Sequence, residues 1–428
     1  MLCPAPHARL PGYFVSMARP RIAAADHPNL NRFREQRKIM TTPTDYSETV
    51  TQLRDTVERV CKDFPGEYWR AKDREREYPT EFVQALTDLG LLAALIPEEY
   101  GGSGLPLSMG VEILKAIHEF GGNAGACHAQ MYTMGTVLRH GNKEQKEMYL
   151  PRIATGELRL QAFGVTEPTA GTDTTSITTM AVRNGDQYIV NGQKVWTSRA
   201  AQSDLMVLLA RTTPKDQIKK RTEGLSVFLI DMQEAKKNGM TIKPIRTMLN
   251  HSTNEVFFDN VPIPASSLIG EEGQGLKYIM SGMNAERILI AAECIGDARW
   301  FIKKATDYAC ERKVFGRPIG QNQGIQFPIA RNFAEMLSAN LLVDHAANLY
   351  EQGKPCGTEA NLAKMMASEA SWNAADVCMQ TFGGFGVAEE YDVERKFREA
   401  RLYRIAPIST NLILSYVAEH ELGMPRSY

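Results

Sequence analysis

The spacing of apolar residues changes twice along this chain. It follows a helical period from Tyr46 to about Gly156, alternates with period two from Leu158 to about Ile269, and is helical again from Gly275 onward. In the first block, Val50, Leu53, Val57 and Val60 share one helical face. The run PTEFVQALTDLGLLAAL predicts a second helix, with Pro79 and Thr80 suited to its start. IPEEYGGSGLP is a turn-rich break, after which LSMGVEILKAIHEFGG and KEQKEMYLPRIATG read as two more helices. The middle block holds LMVLLAR, LSVFLID, TIKPIR and EVFFDNVPIP, which read as strands between Gly, Pro and charged turns. Within it, Gln187–Ser198 (QYIVNGQKVWTS) predicts two strands joined by a tight Asn191-Gly192 turn. In the last block, one long helix is expected from Gly275 to about Phe315, with Gly282 and Gly296 inside it, and two more long helices follow. Helices patterned this way pack as a bundle. The expected class is α+β, mainly α, with helical residues 40–157, a β domain over 158–272 and a helical bundle over 273–428.

Composition narrows the function classes. With 428 residues, 43% hydrophobic and 23% charged, the chain is long enough for two or three domains with a substantial core. A net charge of −1 gives no bulk electrostatic case for a nucleic-acid partner. Cys3, Cys61, Cys127, Cys294, Cys310, Cys356 and Cys378 show no CxxC spacing, and the histidines no HExxH, so no metal site is expected. His118 and His128 read as structural. No apolar run reaches membrane-spanning length. The reading is a soluble, cytoplasmic protein. Residues 1–39, rich in Pro and Arg, are either a disordered or misassigned leader or a transit segment, which would place the protein in the mitochondrial matrix. Prolines at 4, 6, 11 and 20 favour the first.

The candidate chemistry starts at Phe163-Gly-Val-Thr-Glu-Pro168, whose proline cannot continue a central strand. A Thr, Gly and Asp loop follows, then the run ending in Trp196-Thr-Ser198. Hydroxyl and backbone donors beside an aromatic ring on a rigid sheet suit a planar, electron-rich ligand; on composition alone, a surface hairpin with a polar loop is the favoured reading. TEPTAGTD followed by YIVNGQKVWTS resembles the flavin-binding core of the acyl-CoA dehydrogenase family, and the resemblance runs from about Asp45 to the C-terminus.

The resemblance implies a helical N-terminal domain, a middle β domain and a C-terminal four-helix bundle, with FAD as cofactor. It implies that Phe163, Val165 and Thr166 contact the isoalloxazine, that Trp196 packs on it, and that Ser198 stands near N5 in place of the usual Thr. Thr172 takes the Ser/Thr position near the FAD phosphates and substrate. ERKVFGRPIGQNQ matches the segment that reaches a neighbouring subunit's FAD, through Arg312, Phe315 and Gln323; QTFGGFG supplies Gln380, Gly383 and Gly384. Two subunits contributing to one FAD imply a homo-oligomer, a tetramer by family habit. An electron-transfer flavoprotein is the implied acceptor.

One departure concerns the catalytic carboxylate. Many members carry it in a Tyr-Glu-Gly-Thr segment; here LYRIAPISTN, aligned on Tyr403 with Ser409 and Asn411 on the family's Thr and Gln, puts Pro407 there. A minority, including isovaleryl-CoA types, carry the base on the long helix. This chain has Asn284-Ala285-Glu286-Arg287 at that place, with Met283 and Ile290 one turn from Glu286. An apolar setting raises a carboxyl pKa toward that of a useful base. The other reading of Glu286 is a structural acid paired to an arginine. Asn284 and Arg287 match positions near the CoA arm.

The resulting expectation is a FAD-dependent acyl-CoA dehydrogenase for a short or branched acyl chain, with α-proton abstraction by Glu286 and β-hydride transfer to flavin N5 giving a 2-enoyl-CoA. Two alternatives stand beside it: a flavoprotein of the same fold that eliminates a β-substituent or reduces an enoyl-CoA, and a non-catalytic acyl-CoA-binding protein.

Overall fold

The computed structural model describes residues 43–427, with side chains from Tyr46. The leader or transit segment expected over 1–39 lies outside the described residues. Six helices come first: α1 (Pro43–Asp63), α2 (Gly66–Glu75), α3 (Thr80–Asp88), α4 (Leu107–Glu119), α5 (Ala129–His140) and α6 (Lys143–Ala154). Val57 and Leu53, from the apolar face of α1, are buried. The helix expected from Pro79 to Leu95 ends at Asp88, because Gly90 turns left-handed (φ 70°) and Leu91–Ala93 continues as a 3₁₀ turn. Helix α5 has no counterpart in the sequence reading; its mixed Thr, Met and Gly composition hides the period.

The middle block forms one eight-stranded sheet from β1 (Leu160–Gly164), β2 (Met180–Asn184), β3 (Gln187–Ser198), β4 (Leu205–Arg211), β5 (Leu225–Asp231), β6 (Met240–Pro244), β7 (Thr253–Pro264) and β8 (Leu268–Ile269). The order is β6-β7-β3-β2-β4-β5-β8, with β1 added parallel to β4. Short helix α7 (Met232–Lys237) links β5 to β6.

The hairpin expected at Asn191-Gly192 is not there. Residues 187–198 form a single strand, and the tight turn lies at Gly185-Asp186, between the paired Asn184 and Gln187. Strand β3 pairs with β2 on one side and β7 on the other, so folding back at Asn191 would break two ladders. Gly192 instead carries a bulge in the β7 register (φ 147°), and a Cβ there would lie 2.5 Å from Thr179 Oγ1. The Asn-Gly signal marked a place where only glycine fits, not a reversal.

The last block contains α8 (Gly275–Glu311), α9 (Gln323–Glu351), α10 (Gly357–Phe382), α11 (Val393–Tyr403) and α12 (Thr410–His420), with a two-stranded ribbon of β9 (Lys313–Val314) and β10 (Arg317–Pro318). Helix α8 spans 37 residues, includes Gly282 and Gly296, and ends just before the expected KVF. The largest apolar cluster joins α1, α4, α8, α9 and α10 in one core, so the first helices and the bundle are packed together. A second cluster sets α8 residue Ile279 against Leu205, Val207 and Leu209 of the sheet. That junction between long helix and sheet makes the cleft described next.

Candidate active site

Strand β1 delivers Phe163 to the cleft and the chain leaves the sheet through Val165 and Thr166. The next residue, Glu167, turns inward, and only 3% of it is exposed. Its carboxylate accepts from the Thr178 and Thr179 amides at 2.6 and 2.9 Å and from Lys194 Nζ at 2.8 Å. The Lys194 ammonium also donates to the Val165 carbonyl at 2.9 Å. Lys194 and the donated hydrogen bonds outweigh burial and hold the Glu167 carboxyl down at about 2. This buried pair fastens the 163–168 loop to β3. Residue Val195, next along, donates its amide to the Thr166 carbonyl at 2.9 Å. The sequence reading passed over both charges, which no short motif marks as partners.

Beyond Lys194, Trp196 stands 59% exposed at the mouth with a positive φ of 60°, and Ser198 is half-buried beside it. Helix α8 closes the opposite side with Leu276, Ile279, Met280, Met283, Glu286 and Ile290. Leu402, Tyr403, Ala406 and Pro407 complete this wall. The structure thus brings Phe163, Val165, Thr166, Trp196, Ser198 and Glu286 into one cleft, together with Pro407.

Glu286 is buried (7% exposed) and forms no ion pair among the described residues. Burial raises its carboxyl to about 7, against the opposing pull of the adjacent Arg287 and a hydrogen bond from Tyr132. The arginine partner on a neighbouring helix, the alternative for Glu286, is absent among the described residues. Instead Arg287 bonds Asn284 Oδ1 through Nη1 at 3.1 Å, and Asn284 Nδ2 lies 3.6 Å from Cys356 Sγ. Neither Asn284 nor Arg287 lines the cleft.

The acids Glu293 and Asp297 lie on the same stripe of α8 as Glu286, two and three turns further on. Both are fully buried. Glu293 meets His128 Nδ1 at 2.5 Å and the Tyr403 hydroxyl at 2.7 Å; Asp297 meets His118 Nδ1 at 2.9 Å and Lys396 Nζ at 2.7 Å. His118 and His128 are therefore held in a buried polar network, and His128 and Tyr403 also face the cleft. The acids at this spacing were the missed signal.

The remaining site candidates lie elsewhere. Arg312, Gln380, Gly383 and Gly384 line a second cleft with Tyr308 and Phe385, and the Arg312 guanidinium sits 5.8 Å over the Phe385 ring. A Cβ on Gly383 or Gly384 would meet nothing within 4 Å, so the backbone there is open to a ligand. Phe315 is fully exposed at the ribbon turn and Gln323 begins α9. Thr172 sits on the exposed loop after Gly171, which itself reaches the first cleft. Ser409 caps α12 by accepting from the Leu412 amide at 3.4 Å, and Asn411 is exposed.

Three family models match in order: the acyl-CoA dehydrogenase N-terminal domain over 47–157, the middle domain over 162–261 and the C-terminal domain over 273–421. The chain belongs to the acyl-CoA dehydrogenase family. Members are flavoprotein oxidoreductases, and FAD is the cofactor that goes with this membership. The chain is 36% identical over 391 residues to the acyl-CoA dehydrogenase FadE12 of Mycobacterium tuberculosis, covering 89% of this chain and 98% of that one. It is 33% identical to an acyl-CoA dehydrogenase of Bacillus subtilis, covering 87% and 99%. Among solved structures, a glutaryl-coenzyme A dehydrogenase complex with glutaryl-CoA superposes with a TM-score of 0.82 at 30% identity, over 88% of this chain and 96% of that one.

The first cleft fits a flavin by its own chemistry. It offers an exposed indole, a half-buried Phe, two hydroxyls and a loop pinned by a buried ion pair, with room at Gly171 where a Cβ would touch nothing. None of the described helices is long and apolar enough to cross a membrane, and no cluster of His, Cys, Asp or Glu among the described residues could hold a metal.

Proposed function

We propose that the protein is an acyl-CoA dehydrogenase whose base is Glu286. FAD bound against Phe163, Val165, Thr166, Trp196 and Ser198 would supply the hydride acceptor that no side chain provides. The observation that carries the reading is the buried Glu286 carboxyl, with no ion-pair partner among the described residues, in the same cleft as that stretch. A carboxyl near 7 is poised to take the weakly acidic α proton of a thioester at neutral pH. Tyr132, hydrogen-bonded to Glu286, holds the base and favours its ionised form. Ile279, Met283 and Ile290 exclude water, which strengthens every electrostatic contact made there. Pro407 carries no N–H, so enolate charge on the thioester oxygen must be met by donors other than that backbone.

The second cleft, with Arg312, Gln380, Gly383 and Gly384, serves a neighbouring subunit's FAD in this reading. Phe315 and Gln323 belong to the same reach, and the assembly is a homotetramer. The exposed Trp196 edge suits electron exit to an electron-transfer flavoprotein. Thr172, Asn284, Arg287, Ser409 and Asn411 are assigned to the CoA arm or to FAD only on motif match.

The test is an anaerobic titration of the FAD-loaded protein with straight, branched and carboxylated acyl-CoAs, on wild type and Glu286→Gln. Bleaching of the flavin in wild type, lost in the variant while thioester binding persists, is expected. Equal bleaching in both removes Glu286 as the base. Turnover without net flavin reduction would favour elimination instead.

A further inference from the structure

The cleft has an apolar wall and a polar closed end. Trp196 marks the mouth at 59% exposed, whereas Arg199 (2%), His128 (4%) and Gln161 (1%) line the interior. Arg199 is, with Arg395, one of the two largest side chains buried to this degree, and its backbone is left-handed (φ 56°). Its Nη2 lies 3.2 Å from His128 Nε2 and 3.3 Å from His251 Nε2. Burial lowers the pKa of both histidines, so both rings are neutral and accept from the guanidinium. The proton on His128 then sits at Nδ1, facing Glu293.

That leaves the rest of the guanidinium without a partner. Nε and Nη1 are buried and make no hydrogen bond among the described residues. The nearest acid along the network, Glu293, is on the far side of the His128 ring, so no carboxylate touches Arg199. A buried, permanently charged group with unmet donors calls for an anionic oxygen. Tyr132 links this end to the chemistry: its ring packs at 5.8 Å from His128 and 6.4 Å from Phe163, and its hydroxyl bonds Glu286.

We propose that Arg199, with His128 and His251 holding it, recognises a carboxylate at the far end of the acyl chain, making ω-carboxyacyl-CoAs the substrate class. This rests on the cleft being the acyl-CoA site. A methyl-ended chain would leave the Nε and Nη1 donors buried and unpaired, and sites built for a polar group discriminate strongly against analogues that lack it. Gln161 also leaves its Oε1 free, since its Nε2 donates to the Tyr78 hydroxyl, which donates onward to Ala126 O. A hydroxyl-ended chain could use that acceptor, so it is the competing ligand to test.

The experiment measures calorimetric binding and anaerobic flavin bleaching by the FAD-loaded protein. The probes are short ω-carboxyacyl-CoAs, their ω-hydroxy analogues and methyl-ended counterparts of equal length. Wild type should bind the carboxylates at least roughly tenfold tighter than either analogue, and Arg199→Gln should abolish that preference while Arg199→Lys keeps part of it. Equal or tighter binding of the methyl-ended or hydroxyl-ended chains overturns the proposal. So does loss of FAD from folded Arg199→Gln, which would assign the arginine to the cofactor. If neither variant folds, the wild-type preference decides. Absence of bleaching by every thioester would sink the dehydrogenase reading, while the calorimetric arm still decides the carboxylate.

Discussion

At the scale of single residues, two buried carboxyls show how environment sets opposite roles. Glu286 is held at about 7 by burial, and Glu167 at about 2 because Lys194 and the donated hydrogen bonds outweigh burial. In the unfolded chain Glu286 titrates near 4.5, so between there and 7 the folded state binds more protons and stability falls as pH rises. Glu286→Gln removes that slope. Its melting temperature should match wild type near pH 4 and exceed it at pH 8, by the equivalent of about 3 kcal/mol at most. For activity the sign is reversed. Flavin bleaching by substrate in wild type should rise about tenfold per pH unit below about 7 and level off above, a limb read by stopped-flow across pH. For Glu167, removal of its partner is the test. Lys194→Met strands the carboxylate and should cost about 3–5 kcal/mol in denaturant unfolding, with loss of FAD retention, whereas adding Glu167→Gln should restore most of the stability.

At the scale of elements, α8 is the piece on which the site depends. One of its faces carries Glu286, Ile290, Glu293 and Asp297, and the helix can approach α4 only because Gly296 lacks a side chain. A Cβ there would run into the Lys115 carbonyl and come within 2.7 Å of His118 Cβ. Gly296→Ala should therefore destabilise by about 1–3 kcal/mol despite the better helix propensity of alanine, measured by thermal unfolding. The existence of this helix was legible from its period, and so were β4 and β5, whose bounds match LMVLLAR and LSVFLID. The Asn191-Gly192 hairpin was misread because a turn signal and a bulge signal are the same residues, and only the partner strand β7 distinguishes them. Helix α5 was invisible because it is buried on several sides, so no amphipathic stripe marks it.

At the scale of the whole molecule, apolar surface is left uncovered on the bundle. Phe333, Leu337 and Leu341 recur every fourth residue on α9 at 52%, 47% and 65% exposure. Such a stripe is expected to pack against another subunit. Leu337→Glu with Leu341→Glu should shift the proposed assembly to smaller species by light scattering, and weaken FAD retention if the second cleft serves a neighbour. What the sequence determined by itself was the division into helical, sheet and bundle segments and the short motifs that identify the family, because both are carried by residues close together along the chain. The tertiary structure alone decided which charges are buried and what they face. The pairing of Glu167 with Lys194, the isolation of Glu286, and the unmet guanidinium of Arg199 between His128 and His251 join segments far apart in the chain. Desolvation and partner distance, which fix the ionisation and role of each group, do not exist until those segments have packed.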